Sequence, residues 1–286
     1  MAEQETIDFQ LYRYTPKLAP AALFLALFSL TTAYHIYQIH QKRAWYFTAF
    51  VLGGLFQIIG YAARLAAHSN TESIPIYSIH TILVLLAPPL YAASIYMVLG
   101  RLISFLHAEK LSLISIRWMT KIFVTGDVIA FVMQAAGGGI MASGTIESYT
   151  LGENITVGGL AIQLVFFSVF MLTCGIFHYR VKSNPTHKAT ILQASMADSK
   201  ARSWETVLVG LYLASVLILL RSVFRMVEYI QGNRGYLISH EVFMYVFDAA
   251  LMVLCMVVMN GCHPSVILGG GGKGVRVSSG SGEEML

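Results

Sequence analysis

Seven charged residues stand inside otherwise apolar stretches: Arg64, Asp127, Arg221, Arg225, Glu228, Glu241 and Asp248. A charge at the centre of a membrane helix costs roughly 2.5–3.5 kcal/mol, so seven facing lipid would cost on the order of 20 kcal/mol. Net protein stability is only about 5–15 kcal/mol, so these groups must pair, line a wet cavity or sit near an interface. Their spacing shows how they can meet. Arg221, Arg225 and Glu228 follow an i, i+4, i+7 step and share one helical face. By the same seven-residue step Glu241 shares a face with Asp248, Gln57 with Arg64 (Tyr61 between them), and Asp127 with Gln134. Such a set makes either a buried ion-pair network that fixes helix register or a cavity for the polar head of an amphiphile. Three arginines against four acids suit a zwitterionic or cationic amine head better than a simple anion. On the functional alternative Arg64, Arg221, Arg225, Glu228, Glu241 and Asp248 bind substrate, while Asp127 and Gln134 relay a proton or gate the path.

Other chemistries fit less well. His240, Glu241, Asp248 and His80 are metal-ligand types, yet their spacing matches no zinc signature, so no metal is expected. The run Gly269–Gly274 lacks the first glycine of a phosphate loop, the Ser/Thr after its lysine, and a flanking strand and helix. No cofactor is expected, and the chain is not expected to be an enzyme. The three cysteines, Cys174, Cys255 and Cys262, fall in apolar segments and read as small buried hydrophobes. His35, His40, His178 and His263 fall at span ends and read as interfacial.

The elements that carry these residues follow from composition. Of 286 residues, 56% are hydrophobic and only 12% charged, about half the usual charged fraction, and the mean hydropathy is +0.64. That excludes a soluble enzyme, a disordered chain and a nucleic-acid binder. Uninterrupted apolar windows predict an all-α, seven-helix transmembrane bundle over 18–262. The expected spans are 18–40, 45–67, 76–106, 119–143, 155–179, 206–230 and 238–262. Residues 1–17 form the expected extracellular tail and 263–286 a Gly/Ser-rich, disordered cytoplasmic one. Glu3, Glu5 and Asp8 precede the first span, unlike the basic start of a cleavable signal, so that span is expected to stay as an anchor. Pro88-Pro89 is expected to kink the third span, and the glycine clusters of the second, fourth and fifth spans to pack helices closely. Pro88-Pro89 with Tyr91 and Tyr96 is also a candidate aromatic-lined hinge.

Thirteen of the nineteen Lys and Arg residues fall on one side of the bundle and three on the other, which predicts the N-terminus outside and the C-terminus in the cytoplasm. Trp45, Trp118 and Trp204 fall at the cytoplasmic ends of even-numbered spans, where indole rings anchor at headgroups. The sequon Asn154-Ile155-Thr156 lies at the outer end of the fifth span and makes Asn154 a candidate glycosylation site.

Several longer strings are more specific. They are Tyr12-Arg13-Tyr14-Thr15-Pro16, the run from Ala87 to Tyr96, Lys121 to Asp127 with Gln134 to Gly139, and Arg221 to Tyr229 with Gln231-Gly232. Ser239-His240-Glu241 and Tyr245-Val246-Phe247-Asp248 complete the set. Together they resemble the fungal RTA-like, or lipid-translocating exporter, family of seven-helix proteins, over about Tyr12 to Pro264. Pro88-Pro89 departs from the single proline expected there. The resemblance implies a fungal, multi-pass protein, often of the plasma membrane, linked to tolerance of toxic amphiphiles such as sphingoid bases, aminosterol-type compounds and porphyrins. The expected function is translocation and efflux of amphipathic, lipid-like molecules, with membrane lipids or small amphiphiles as partners and no nucleic acid. A seven-helix receptor or sensor of amphiphiles is the first alternative, although the third span lacks an acidic-Arg-Tyr end. An intramembrane metal-dependent lipid hydrolase is the second.

Overall fold

The computed structural model describes residues 17–70, 73–141, 146–197, 204–232 and 235–268. The N-terminal tail before Lys17 and the stretch from Gly269 onward, with its glycine run, lie outside the described residues. Seven helical segments are long and apolar enough to cross a membrane. They are α1 (Leu18–Lys42), α2 (Thr48–Ala67, led by a 3-10 turn, Trp45–Phe47), α3 (Ile74–Phe105), α4 (Ile116–Met141) and α5 (Ile146–Ser183). After a short helix α6 (His187–Ala197) come α7 (Trp204–Ile230) and a composite seventh span. A one-turn helix α8 (Tyr236–Ser239) leads into that span, which comprises α9 (Glu241–Met244), a π turn (Tyr245–Ala249) and α10 (Ala250–Gly261). The chain is an integral multi-pass membrane protein.

Each long helix packs on its neighbour in sequence, and α10 returns to α1 to close the ring. The third helix is the most enclosed, with 61% of its apolar window buried, and it also touches α7 across the centre. Close approaches depend on missing side chains. A Cβ at Gly53 would lie 3.0 Å from the Ala87 carbonyl, and one at Gly137 would lie 2.5 Å from the Gly152 carbonyl, so α2–α3 and α4–α5 meet nearly backbone to backbone. Gly138 and Gly139 face open space, so only the first glycine of that triplet packs a helix.

The helix α3 continues through Pro88 and Pro89. Proline has no N–H, so Pro88 cannot bond the carbonyl four residues earlier, and the Val84 oxygen is left without its helical donor. Arg221 Nη2 supplies one from α7 at 3.3 Å.

Other features also differ from the sequence expectations. Trp45 and Trp118 are exposed, but Trp204 is buried edge-on to His178. His35 and His263 are buried rather than interfacial. His263, Pro264 and Ser265 also fold back against the bundle, with a short helix α11 (Ser265–Leu268), at the head of the expected tail.

Candidate functional site

Six of the intramembrane charges meet at one end of the bundle, called here the ion-pair end. Arg64 comes from the last turns of α2, Arg221, Arg225 and Glu228 from the last turns of α7, and Glu241 and Asp248 from the start of the seventh span. Every arginine faces an acid. Arg64 Nη2 lies 2.9 Å from Glu241 Oε1, Arg221 Nε 2.5 Å from Asp248 Oδ1, and Arg225 Nη1 2.8 Å from Glu228 Oε2. The three pairs sum to zero charge, which is what a low-dielectric interior demands.

Neighbouring groups complete each pair. Tyr245 accepts from Arg64 Nε at 3.0 Å and donates to Glu241 Oε1 at 3.1 Å. His80 of α3 lies 3.3 Å from Arg64 Nη1, and its other nitrogen lies 2.9 Å from the Gly60 carbonyl. A carbonyl can only accept, so Nδ1 carries the ring proton and Nε2 accepts from Arg64. The Lys17 backbone N–H donates to both oxygens of Glu241, so that acid also caps the start of α1. Asp248 sits within the π turn, a wider coil that recurs at functional sites. Phe24, Tyr61 and Tyr245 cover the Arg64–Glu241 pair, with Phe24 stacked on Tyr245 at 5.4 Å.

The pairs differ in access. Arg64, Arg221 and Asp248 are at most 2% exposed, whereas the Arg225 and Glu228 side chains are 13% and 10% exposed. Arg225 Nε is buried without a partner, and Nη2 reaches Tyr229 at 3.3 Å. This pair is the looser one.

Asp127 and Gln134 stand apart from this cluster and take different partners. Asp127 accepts from the Tyr96 hydroxyl at 3.0 Å, inside a cage of Phe123, Phe167 and Phe170 around Tyr96. Its second oxygen is buried without a partner, and among the described residues it forms no ion pair. Gln134 instead donates to Gln163 at 3.1 Å and ties α4 to α5. Asn154 is exposed on α5, with Thr156 of the same sequon buried and bonded to the Gly152 carbonyl.

Sequence periodicity found the charged residues but not their helpers. Tyr245, Tyr96, Gln163, the Lys17 amide and the Val84 carbonyl were all missed. One signal was available: a proline inside a span frees the carbonyl four residues before it.

Comparison with known proteins gives the family of the chain. The chain is 34% identical to protoporphyrin uptake protein 1 of Saccharomyces cerevisiae, with 88% of this chain and 91% of that protein covered. It is 30% identical to the probable lipid transporter atnI of Emericella nidulans, covering 91% and 69%. It is 24% identical to the sphingoid long-chain base transporter RSB1 of Saccharomyces cerevisiae, covering 93% and 76%. No solved structure matches. Residues 50–271 match the family described as RTA1 like protein, which includes the ion-pair end and the Asp127 centre, and the chain belongs to that family.

Proposed function

We propose that the protein is a translocator of amphipathic, lipid-like molecules with an amine-bearing head, acting in efflux at the plasma membrane. Its N-terminus would face outside, so that the ion-pair end opens toward the exterior. The observation that carries the reading is the matched set of three arginine–acid pairs at one end of an apolar bundle. An incoming ammonium can take the place of the Arg225 guanidinium at Glu228, and the displaced arginine, the most exposed of the three, then needs an oxygen partner of its own. The freed arginine then meets any phosphate or hydroxyl oxygen on the same head. The Arg225–Glu228 pair is the entry point, because it is the most accessible and one of its donors is already unsatisfied. The names of the relatives support the class of cargo: a lipid, a long-chain base and a porphyrin are all amphiphiles.

Asp127 is the group through which a proton acts, since no arginine fixes its charge. Gln134, bonded to Gln163, holds the α4–α5 wall beside it rather than passing the proton on.

The test is export of a labelled long-chain base from cells carrying Glu228→Gln, Glu241→Gln or Asp248→Asn, with protein abundance measured alongside. Glu228→Gln should lower export about tenfold at normal abundance, the loss of one charge-assisted contact. Full export by Glu228→Gln at normal abundance overturns the assignment.

A further inference from the structure

The three ion pairs are not built alike. Arg64 and Glu241 tie α2 to the seventh span, and Arg221 and Asp248 tie α7 to it. Among the described residues Arg225 bonds to no other helix. Its acid partner Glu228 and its phenol partner Tyr229 stand three and four residues further along α7, on the same face. Breaking either of the first two pairs unties a helix, whereas breaking the third unties none. It is also the pair that reaches the surface, with both side chains at least 10% exposed.

The Arg225 guanidinium is shared between its two partners. Nη1 donates to Glu228 Oε2 at 2.8 Å, Nη2 donates to the Tyr229 hydroxyl at 3.3 Å, and the carbon between them lies 5.1 Å from the centre of the Tyr229 ring. One nitrogen holds the acid while the other already rests on a neutral acceptor. An ammonium that takes Glu228 therefore displaces only the first contact. The second remains, and an aromatic face within about 6 Å attracts a cation as well. A largely buried guanidinium stripped of every partner would be costly, so what remains decides whether the exchange can happen.

The ring and the hydroxyl of Tyr229 contribute differently. The ring face attracts a cation but gives its N–H groups no oxygen to bond. The hydroxyl gives one. A cargo head with a hydroxyl or phosphate beside its amine brings such an oxygen to the guanidinium itself. A plain amine brings none, and the oxygen must then come from the protein. Among the described residues Tyr229 is the one whose hydroxyl bonds Arg225.

We infer that Tyr229 sets which amines the ion-pair end accepts: its hydroxyl holds the Arg225 guanidinium when a cargo ammonium sits on Glu228, and so admits amphiphilic amines whose heads carry no oxygen. Tyr229 is a positioning residue that acts through Arg225. The inference rests on the reading of Glu228 as the seat of the ammonium and adds the range of heads that the seat admits.

The test measures binding of radiolabelled dodecylamine and of radiolabelled 2-aminododecanol, by scintillation proximity, to the purified full-length protein immobilised in detergent. Tyr229→Phe keeps the ring and removes the oxygen, so it should shift the ratio of the two affinities about tenfold toward the amino alcohol. In an Arg225→Gln background the same change should shift that ratio by no more than about twofold, because no guanidinium is left to hold. A purely structural role of Tyr229 would weaken both probes alike and leave the ratio unmoved. An unmoved ratio overturns the inference, and so does a tenfold shift that persists in the Arg225→Gln background. If Glu228→Gln abolishes dodecylamine binding in the same assay, either outcome leaves the seat at Glu228 standing. Dodecylamine binding equally to the parent and Glu228→Gln proteins, or to neither, overturns both the seat and the inference.

Discussion

Asp248 and Asp127 are buried to the same degree, at 1% and 3% exposure, and live in opposite surroundings. Asp248 lies against the Arg221 guanidinium, which in turn bonds the Val84 carbonyl that Pro88 leaves free. Its charge thereby joins the seventh span to α7 and, through Arg221, to α3. Asp127 receives one phenol hydroxyl, and its other oxygen meets no partner among the described residues. The first acid is fixed by a countercharge that the fold depends on. The second can gain or lose a proton without breaking an ion pair. Burial alone therefore does not say what a carboxylate is for; its partner does.

The strongest way to break this contrast is to remove the countercharge. Arg221→Met leaves Asp248 buried and unpaired, and losing one partner of a buried pair costs about 3–5 kcal/mol. That should appear as loss of monodisperse protein or a steep drop in Tm after detergent extraction. The double variant Arg221→Met with Asp248→Leu should recover most of the loss, because the charge leaves with its partner. A stable single variant would show that Asp248 has other support and would dissolve the distinction.

A smaller effect is expected at the phenol. Tyr96→Phe removes the one hydrogen bond that Asp127 accepts, at a cost of about 1.5–3 kcal/mol for a bond to a charged group. In an Asp127→Asn background the same change should cost roughly half as much, since a neutral amide needs the hydroxyl less. Equal costs in the two backgrounds would mean that Tyr96 acts through packing in its aromatic cage.

How far the sequence reached follows the same division. A helix needs only its own residues to define a face, so the apolar windows marked seven spans and the seven-residue steps put Arg221, Arg225 and Glu228 together. Partners belong to other helices. Asp127 and Gln134 share a face of α4, yet Tyr96 of α3 takes one and Gln163 of α5 the other, and no periodicity within α4 distinguishes them. His35 and His263 looked interfacial because they stand near span ends. They are buried because Phe47 and Phe50 pack beside them, with Phe50 4.9 Å from His35 and Phe47 5.1 Å from His263. Trp204 failed for the same reason, being turned inward against His178 by the register of α5 and α7. Proximity to the end of a hydrophobic run says how deep a residue lies and nothing of which way it points.

The mildest change sharpens the contrast most. Asp127→Asn keeps an oxygen for the Tyr96 hydroxyl, alters the volume little and removes no ion-pair partner, so stability should stay within about 1 kcal/mol of the parent. What should change is coupling. If Asp127 carries the proton that accompanies translocation, the amide variant reconstituted in liposomes should move labelled long-chain base equally with and without a proton gradient, while the parent responds to it. Asp248→Asn makes the same chemical change at a paired acid. It leaves Arg221 as the uncompensated charge and should lower abundance before coupling can be read. One substitution type at two equally buried positions thus separates a carboxylate held by its counterion from one free to change its proton. If Asp127→Asn falls in abundance as Asp248→Asn does, or still answers to the gradient, the division between the two centres is wrong.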